Sequence, residues 1–180
     1  MKTKLLLAAG LAAVTFAGVG AHKAMAITTS GNIEANILAA ITLTAVDTLD
    51  FGRIAPGTID TVVYVAATTG ARSITVGDGT LVAGGGEQDG TFNLDGSDGL
   101  TVTIDVPADA TVTVTNGTDT LEVDSFEWSY DGGATTVGDG TAVLAVGGPD
   151  VLSVGAELTV EPTDSAGTYT GTFDVTVDYQ

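Results

Sequence analysis

Tyr169, Gly171, Phe173, Val175, Val177 and Tyr179 alternate with Thr170, Thr172, Asp174, Thr176 and Asp178 at the end of the chain. A period of two places the first set on one face of a β-strand and the second on the other, whereas a helix needs apolar residues every three or four positions. The same period recurs upstream. Leu100, Val102, Ile104 and Val106 alternate with Thr101, Thr103 and Asp105; Phe126, Trp128 and Tyr130 alternate with Glu127 and Ser129; Ala142, Leu144 and Val146 alternate with Val143 and Ala145. One apolar and one Thr- or acid-rich face per strand describes antiparallel sheets with a wet side. No helical-period stretch follows residue 26.

The punctuation agrees. Asx-Gly pairs stand at Asp78-Gly79, Asp89-Gly90, Asp95-Gly96, Asp98-Gly99, Asn116-Gly117, Asp131-Gly132 and Asp139-Gly140, and such pairs supply the positive φ of tight hairpin turns. Val112 and Val114 lead through Asn116-Gly117 to Leu121 and Val123, the strongest hairpin signal in the chain. The Gly-rich stretch from Gly77 to Gly99 reads as loop with one or two short strands, one of them Thr91-Phe92-Asn93-Leu94. Val76-Gly77-Asp78-Gly79-Thr80 is echoed by Val137-Gly138-Asp139-Gly140-Thr141, one turn solution used twice rather than a repeat array. Many short strands at close spacing in one domain predict an all-β fold, an antiparallel Ig-like β-sandwich. The rival outer-membrane barrel needs two aromatic girdles, and several of these strands are too short for it.

The first 26 residues read separately. Lys2 and Lys4 precede an unbroken apolar and small-residue run, Leu5 to Val19, and Ala24-Met25-Ala26 is a small-x-small cleavage site. This is the order of a secretory signal peptide, not of a membrane span. The expected organisation is a signal peptide over residues 1–26, an arm and first strand over 27–45, and a β-sandwich over 46–180.

Removal of that segment takes every lysine, the histidine and both methionines with it. Arg53 and Arg72 remain against 23 carboxylates, a formal charge of 2 − 23 = −21. Without Cys, His or Lys there is no thiol or imidazole nucleophile, no histidine base for a serine and no Schiff-base amine. Disulfides are impossible, although a secreted chain enters an oxidising compartment. Nucleic acid and anionic membrane surfaces are repelled by this charge; polycationic and calcium-mediated contacts stay open. The acids are spread among abundant Val, Ile, Leu and Thr, the composition of a folded acidic surface rather than of a disordered tail.

Candidate chemistry is thin. Glu122, Asp124 and Glu127 beside Trp128 make the one acid–aromatic cluster resembling a carbohydrate site, and an acidic polar strand face explains it equally. Asp89, Asp95 and Asp98 could supply calcium oxygens, in a spacing that fits neither an EF-hand nor a nonapeptide repeat. Asn116-Gly117-Thr118 fits a glycosylation sequon, but the hairpin accounts for it. Arg53 and Arg72 read as partners for nearby carboxylates. No catalytic constellation is expected, so the chain is read as a non-enzyme without a required cofactor.

The N-terminal segment is the unusual one. Ile33, Ala35, Ile37, Ala39, Ile41 and Leu43 occupy alternate positions over a length greater than the usual five or six residues of a strand. It is two strands in series, or one strand with a surplus arm. A surplus alternating arm can add a strand to an open groove on another subunit; equally, it can be the first strand of its own sheet.

Thr29-Ser30-Gly31-Asn32-Ile33-Glu34-Ala35-Asn36-Ile37, then Ile41-Thr42-Leu43-Thr44 and Leu49-Asp50-Phe51-Gly52-Arg53-Ile54, resemble the N-terminal half of secreted pilin-like domains. The ending from Gly167 to Gln180 resembles their C-terminal strand. The pattern is shared by spore-coat-U-like subunits of archaic chaperone–usher pili and by a bacterial family of unknown function, whose interior motif Ala142-Val143-Leu144-Ala145-Val146-Gly147-Gly148 fits; residues 77–125 carry no such motif. The resemblance implies a homopolymeric extracellular filament built by donor-strand complementation and reached through the periplasm. The arm residues Ile27, Ile33, Ala35 and Ile37 would insert into a neighbour. Phe173, Val175, Val177 and Tyr179 would line the acceptor groove and be gripped by a periplasmic chaperone before an outer-membrane usher. Archaic pilins commonly carry a disulfide, which this chain lacks, so the assembly machinery follows less directly than the subunit fold. The alternative is a monomeric secreted module, binding carbohydrate or calcium, whose arm folds onto itself.

Overall fold

Alternating sequence becomes a sandwich here because one long strand is shared between neighbours. The computed structural model describes residues 25–180, so the signal-peptide reading falls, except for its last two residues, outside them. In chain order these residues form β1 (Thr42–Asp47), β2 (Arg53–Ala55), β3 (Thr61–Val65), β4 (Arg72–Val76), β5 (Thr80–Val82), β6 (Gly90–Asp95), β7 (Thr101–Asp105), β8 (Val112–Thr115), β9 (Thr120–Tyr130), β10 (Thr135–Val137), β11 (Gly140–Val143), β12 (Asp150–Val160) and β13 (Thr176–Tyr179). All pairings are antiparallel, and no described residue is helical.

β12 is the axis of the largest sheet. One edge pairs with β9; the other pairs first with β6, as in Leu152↔Phe92, then with β3, as in Leu158↔Val63. β1 continues outward from β6 and β4 from β3, while β8 and β10 share the far edge of β9. The register of β12 against β9 shifts between Gly155 and Glu157, the kind of bulge that bends a strand at a sheet corner. Gly155 is needed there: a Cβ would sit 2.2 Å from the Val65 carbonyl oxygen and 2.6 Å from the Ala67 nitrogen.

A three-stranded sheet, β11-β7-β13, closes the sandwich. Val102 and Ile104 of β7 share one core with Leu121, Val123, Phe126 and Trp128 of β9 and Leu152 and Val154 of β12. The expected one-sided burial holds in β7, where Val102 and Ile104 are buried and Asp105 is exposed. It fails in β9, where Phe126, Glu127, Trp128 and Ser129 are all buried. β9 lies between strands in the middle of its sheet and is covered on both faces.

The hairpin at Asn116-Gly117 forms as expected, with Val114 opposite Leu121 and Gly117 at φ 89°. Asp131-Gly132 likewise joins the paired strands β9 and β10. The echoed Gly-Asp-Gly turns do not make hairpins. One carries the chain from β4 to β5 and the other from β10 to β11, each time into a different sheet, and the positive φ sits on Gly77 and Gly138 rather than on the glycine after the aspartate. β11 ends at Val143, leaving Val146 exposed rather than on the apolar face of a longer strand.

A small ribbon, β2 with β5, is tied down by Arg72. Its guanidinium donates to the carbonyls of Phe51, Arg53 and Val82 at 2.7–2.9 Å and pairs with Glu87 at 3.4 Å, with its side chain almost fully buried. The expectation that this arginine answers to a carboxylate holds, and three carbonyls share the charge.

Candidate functional site: an open groove between two edge strands

The final alternation does not make one long strand. Thr170 exchanges both backbone hydrogen bonds with Thr115, the last residue of β8, at 2.9 and 3.0 Å. Residues 171–175 then join no ladder, and β13 pairs with β7 from Thr176 onward. The segment crosses from one sheet to the other. Gly171 permits the crossing, because a Cβ there would lie 2.4 Å from the Thr113 carbonyl oxygen. Phe173 is its plug, with its ring 5.3 Å from that of Phe126 and 6.0 Å, edge-on, from that of Phe92.

β13 is the outer strand of its sheet, and β1 is the outer strand of the other. Between them runs a groove of about 510 Å³, walled by Ala40, Ile41 and Leu43 on one side and by Val175, Val177 and Tyr179 on the other. Apart from Ala40, which is exposed, these apolar walls are half-buried and pack against the core. Among the described residues no strand closes this seam. Each flanking strand keeps an unpaired backbone edge, the feature that recruits a further strand. A second hollow of about 350 Å³ follows the crossing segment, lined by Val106, Pro107, Val112 and Phe173 together with Asp105 and Asp174. All four residues expected to line an acceptor groove therefore face one or other of these openings.

A family model described as a domain of unknown function (DUF4402) matches residues 41–179. The chain belongs to this family. No curated protein and no solved structure matches it. The DUF4402 domain begins at Ile41 and ends at Tyr179, so both apolar walls except Ala40 lie inside it, and the arm from Ile27 to Ala40 precedes it.

That arm is not a strand. Residues 25–41 join no ladder, and the first strand of the DUF4402 domain begins only at Thr42. Ile27, Ile33 and Ile37 are 95%, 98% and 92% exposed, and Ala35 is exposed too. The alternation from Ile33 to Ala39 is thus unused by any sheet of the described residues.

The other candidate residues are dispersed. Asp89 precedes β6 and Asp95 ends it, about 20 Å apart at the rise of an extended strand, with Asp98 beyond. The three do not converge as calcium ligands, and no group of three or more metal-ligating side chains occurs among the described residues. The acid–aromatic cluster is also taken apart. Trp128 is buried and donates its indole N–H to the Gly138 carbonyl at 2.9 Å, with Gly140 leaving room for the ring. Glu127 is buried rather than on a polar face, accepting from Tyr64 and from the Ala67 amide. Asp124 accepts from the Ala110 amide at 2.6 Å. The Trp128 ring is not open for a sugar to stack on.

Sequence reading missed a polar node at one end of the groove. The Tyr179 hydroxyl accepts from the Ser97 amide at 2.6 Å and donates to the Ala39 carbonyl at 2.8 Å, while the Ala39 amide donates to Ser97 Oγ at 2.8 Å. These residues are far apart in the chain. Gly96, next to Ser97, was the available signal: a Cβ there would lie 2.7 Å from the Tyr179 hydroxyl.

Proposed function

We propose that this DUF4402 protein is the secreted structural subunit of an extracellular filament, in which the arm of one copy enters the groove of the next. The observation that carries this reading is the pairing of an open seam with an unused strand. Two edge strands of different sheets face each other across half-buried apolar walls, and the same chain carries an exposed segment with apolar residues at every second position. An inserted strand would gain ladder hydrogen bonds on both sides and bury an apolar side chain at every second residue.

The resemblance to spore-coat-U-like pilins supports the same reading and suggests delivery by a periplasmic chaperone and an outer-membrane usher. The chain has no Cys, its lysines and histidine all lie in the first 26 residues, and Trp128 is buried, which favours a structural role over catalysis or sugar binding. Polymerisation would complete the core of each copy, so the filament should resist dissociation.

The test is a denaturing gel of material sheared from producing cells, run unheated and boiled. A ladder of multiples of the mature mass that collapses on boiling supports strand donation. A single monomer band in both lanes overturns it and leaves the monomeric binding module.

A further inference from the structure

We infer that the Tyr179–Ser97–Ala39 node is a latch that keeps a chain from filling its own groove and so reserves the groove for a second copy. The inference rests on the filament reading and adds what directs the arm outward. Ile41 and Leu43 form one wall of the groove and Tyr179 belongs to the other. The Tyr179 hydroxyl holds the carbonyl of Ala39, only two residues before Ile41, and Ser97 Oγ holds the amide of the same residue. Both backbone groups of Ala39 are therefore engaged at the Tyr179 end of the groove.

To lie between β1 and β13, the segment before Ile41 would have to reverse direction within the residues that join it to β1. The tightest antiparallel reversal uses two loop residues whose backbone groups are free to adopt a turn. Here those residues are Ala39 and Ala40, and Ala39 is fixed. A tight reversal in cis needs the node broken; filling by another chain's arm leaves it intact. The node is also built: Gly96 supplies the space for the hydroxyl, and the Gln180 amide anchors the end of β13 to the Thr101 carbonyl at 3.1 Å.

Tyr179 is a positioning residue on this account, and Tyr179→Phe keeps the apolar wall while removing both hydroxyl bonds. Ser97→Ala releases Ala39 from the opposite side without touching β13. Two readouts on the full mature chain test the latch. Amide hydrogen exchange at Ala39 in the isolated monomer should accelerate about fivefold or more in Ser97→Ala, which removes the acceptor of that amide, the factor expected from losing a hydrogen bond. In the gel assay the ladder should shorten and a boiling-sensitive compact monomer should appear, with the far-UV circular dichroism of the monomer unchanged. Unchanged exchange at Ala39 in Ser97→Ala, or a wild-type ladder in both variants, overturns the latch. Absence of a ladder in the wild type overturns the filament reading instead, and the exchange measurement still decides whether Ala39 is held.

Discussion

The Tyr64 hydroxyl donates a hydrogen bond to Glu127 Oε1 at 2.5 Å, joining β3 to β9 across the intervening β12. The residue of β12 opposite Glu127 is Gly155, which has no side chain to block the reach. The same carboxylate oxygen accepts from the Ala67 amide at 3.0 Å. One buried acid thus fixes the corner at which β12 leaves β6 and takes up β3. Burial, followed by the hydrogen bond and charge of Glu127, pushes the Tyr64 hydroxyl up to about 12 from an ordinary value of 10.0.

Stability should therefore fall at high pH through this residue. The folded state keeps the Tyr64 proton that the unfolded chain releases near pH 10, so the contribution is complete below pH 10 and is lost as pH rises toward about 12. Urea midpoints measured across that window should decline. Tyr64→Phe should flatten the decline while lowering the midpoint at neutral pH.

On the acid side, Asp78 is the group to follow. It accepts from the Thr58 hydroxyl at 2.6 Å and from the amides of Thr58 and Ile59, which hold its carboxyl below its ordinary value of 3.8. Its contribution is present above that value and lost as pH falls through the lower folded one. Asp78→Asn should reduce the acid-side slope of the stability curve. An identical slope would remove Asp78 from the account.

Gly155→Ala should damage the whole sheet. Its Cβ would fall at 2.2 Å from the Val65 carbonyl oxygen, in backbone that cannot yield without parting β3 from β12. A loss of about 3 kcal/mol or more is expected, at the upper end for overpacking. Gly117→Asn, at an open hairpin tip with φ 89°, should cost less than about 1 kcal/mol, since asparagine tolerates positive φ. Chemical denaturation of the two variants checks the order.

Ile33→Asp separates folding from assembly. Ile33 is 98% exposed, so the monomer should unfold within about 0.5 kcal/mol of the wild type. The ladder of the gel assay should disappear. Unfolding of the monomer by this one change would make the arm part of its own fold and defeat the strand-donation reading.

Salt should favour association. Copies carrying a formal charge of −18, or 2 − 23 = −21 after loss of the expected signal peptide, repel one another, and the repulsion is screened over about 8–10 Å at moderate ionic strength. The rate of ladder formation from purified monomer should rise with sodium chloride or calcium. Equal rates at very low ionic strength without divalent ions would contradict it.

Composition and periodicity were enough to establish an all-β chain. Val102 with Ile104, and Val114 opposite Leu121, sit as their spacing requires, because side-chain direction in a strand follows from the backbone alone. Periodicity also marked the apolar residues of both the arm and the closing segment. It could not say which of them are paired. Residues 33–37 and 171–175 carry strict alternation and join no ladder, since pairing depends on a neighbour that local sequence does not specify. Nor could it place Glu127 inside: an acid in alternation reads as a wet face, and only the bend of β12 at Gly155 brings Tyr64 and Ala67 to satisfy it. The groove between β1 and β13, and the node of Tyr179, Ser97 and Ala39 at its end, arise from contacts 58 to 140 residues apart. Strand character is a local property of this chain; its open seam is decided by which edges the folded sheets leave unpaired.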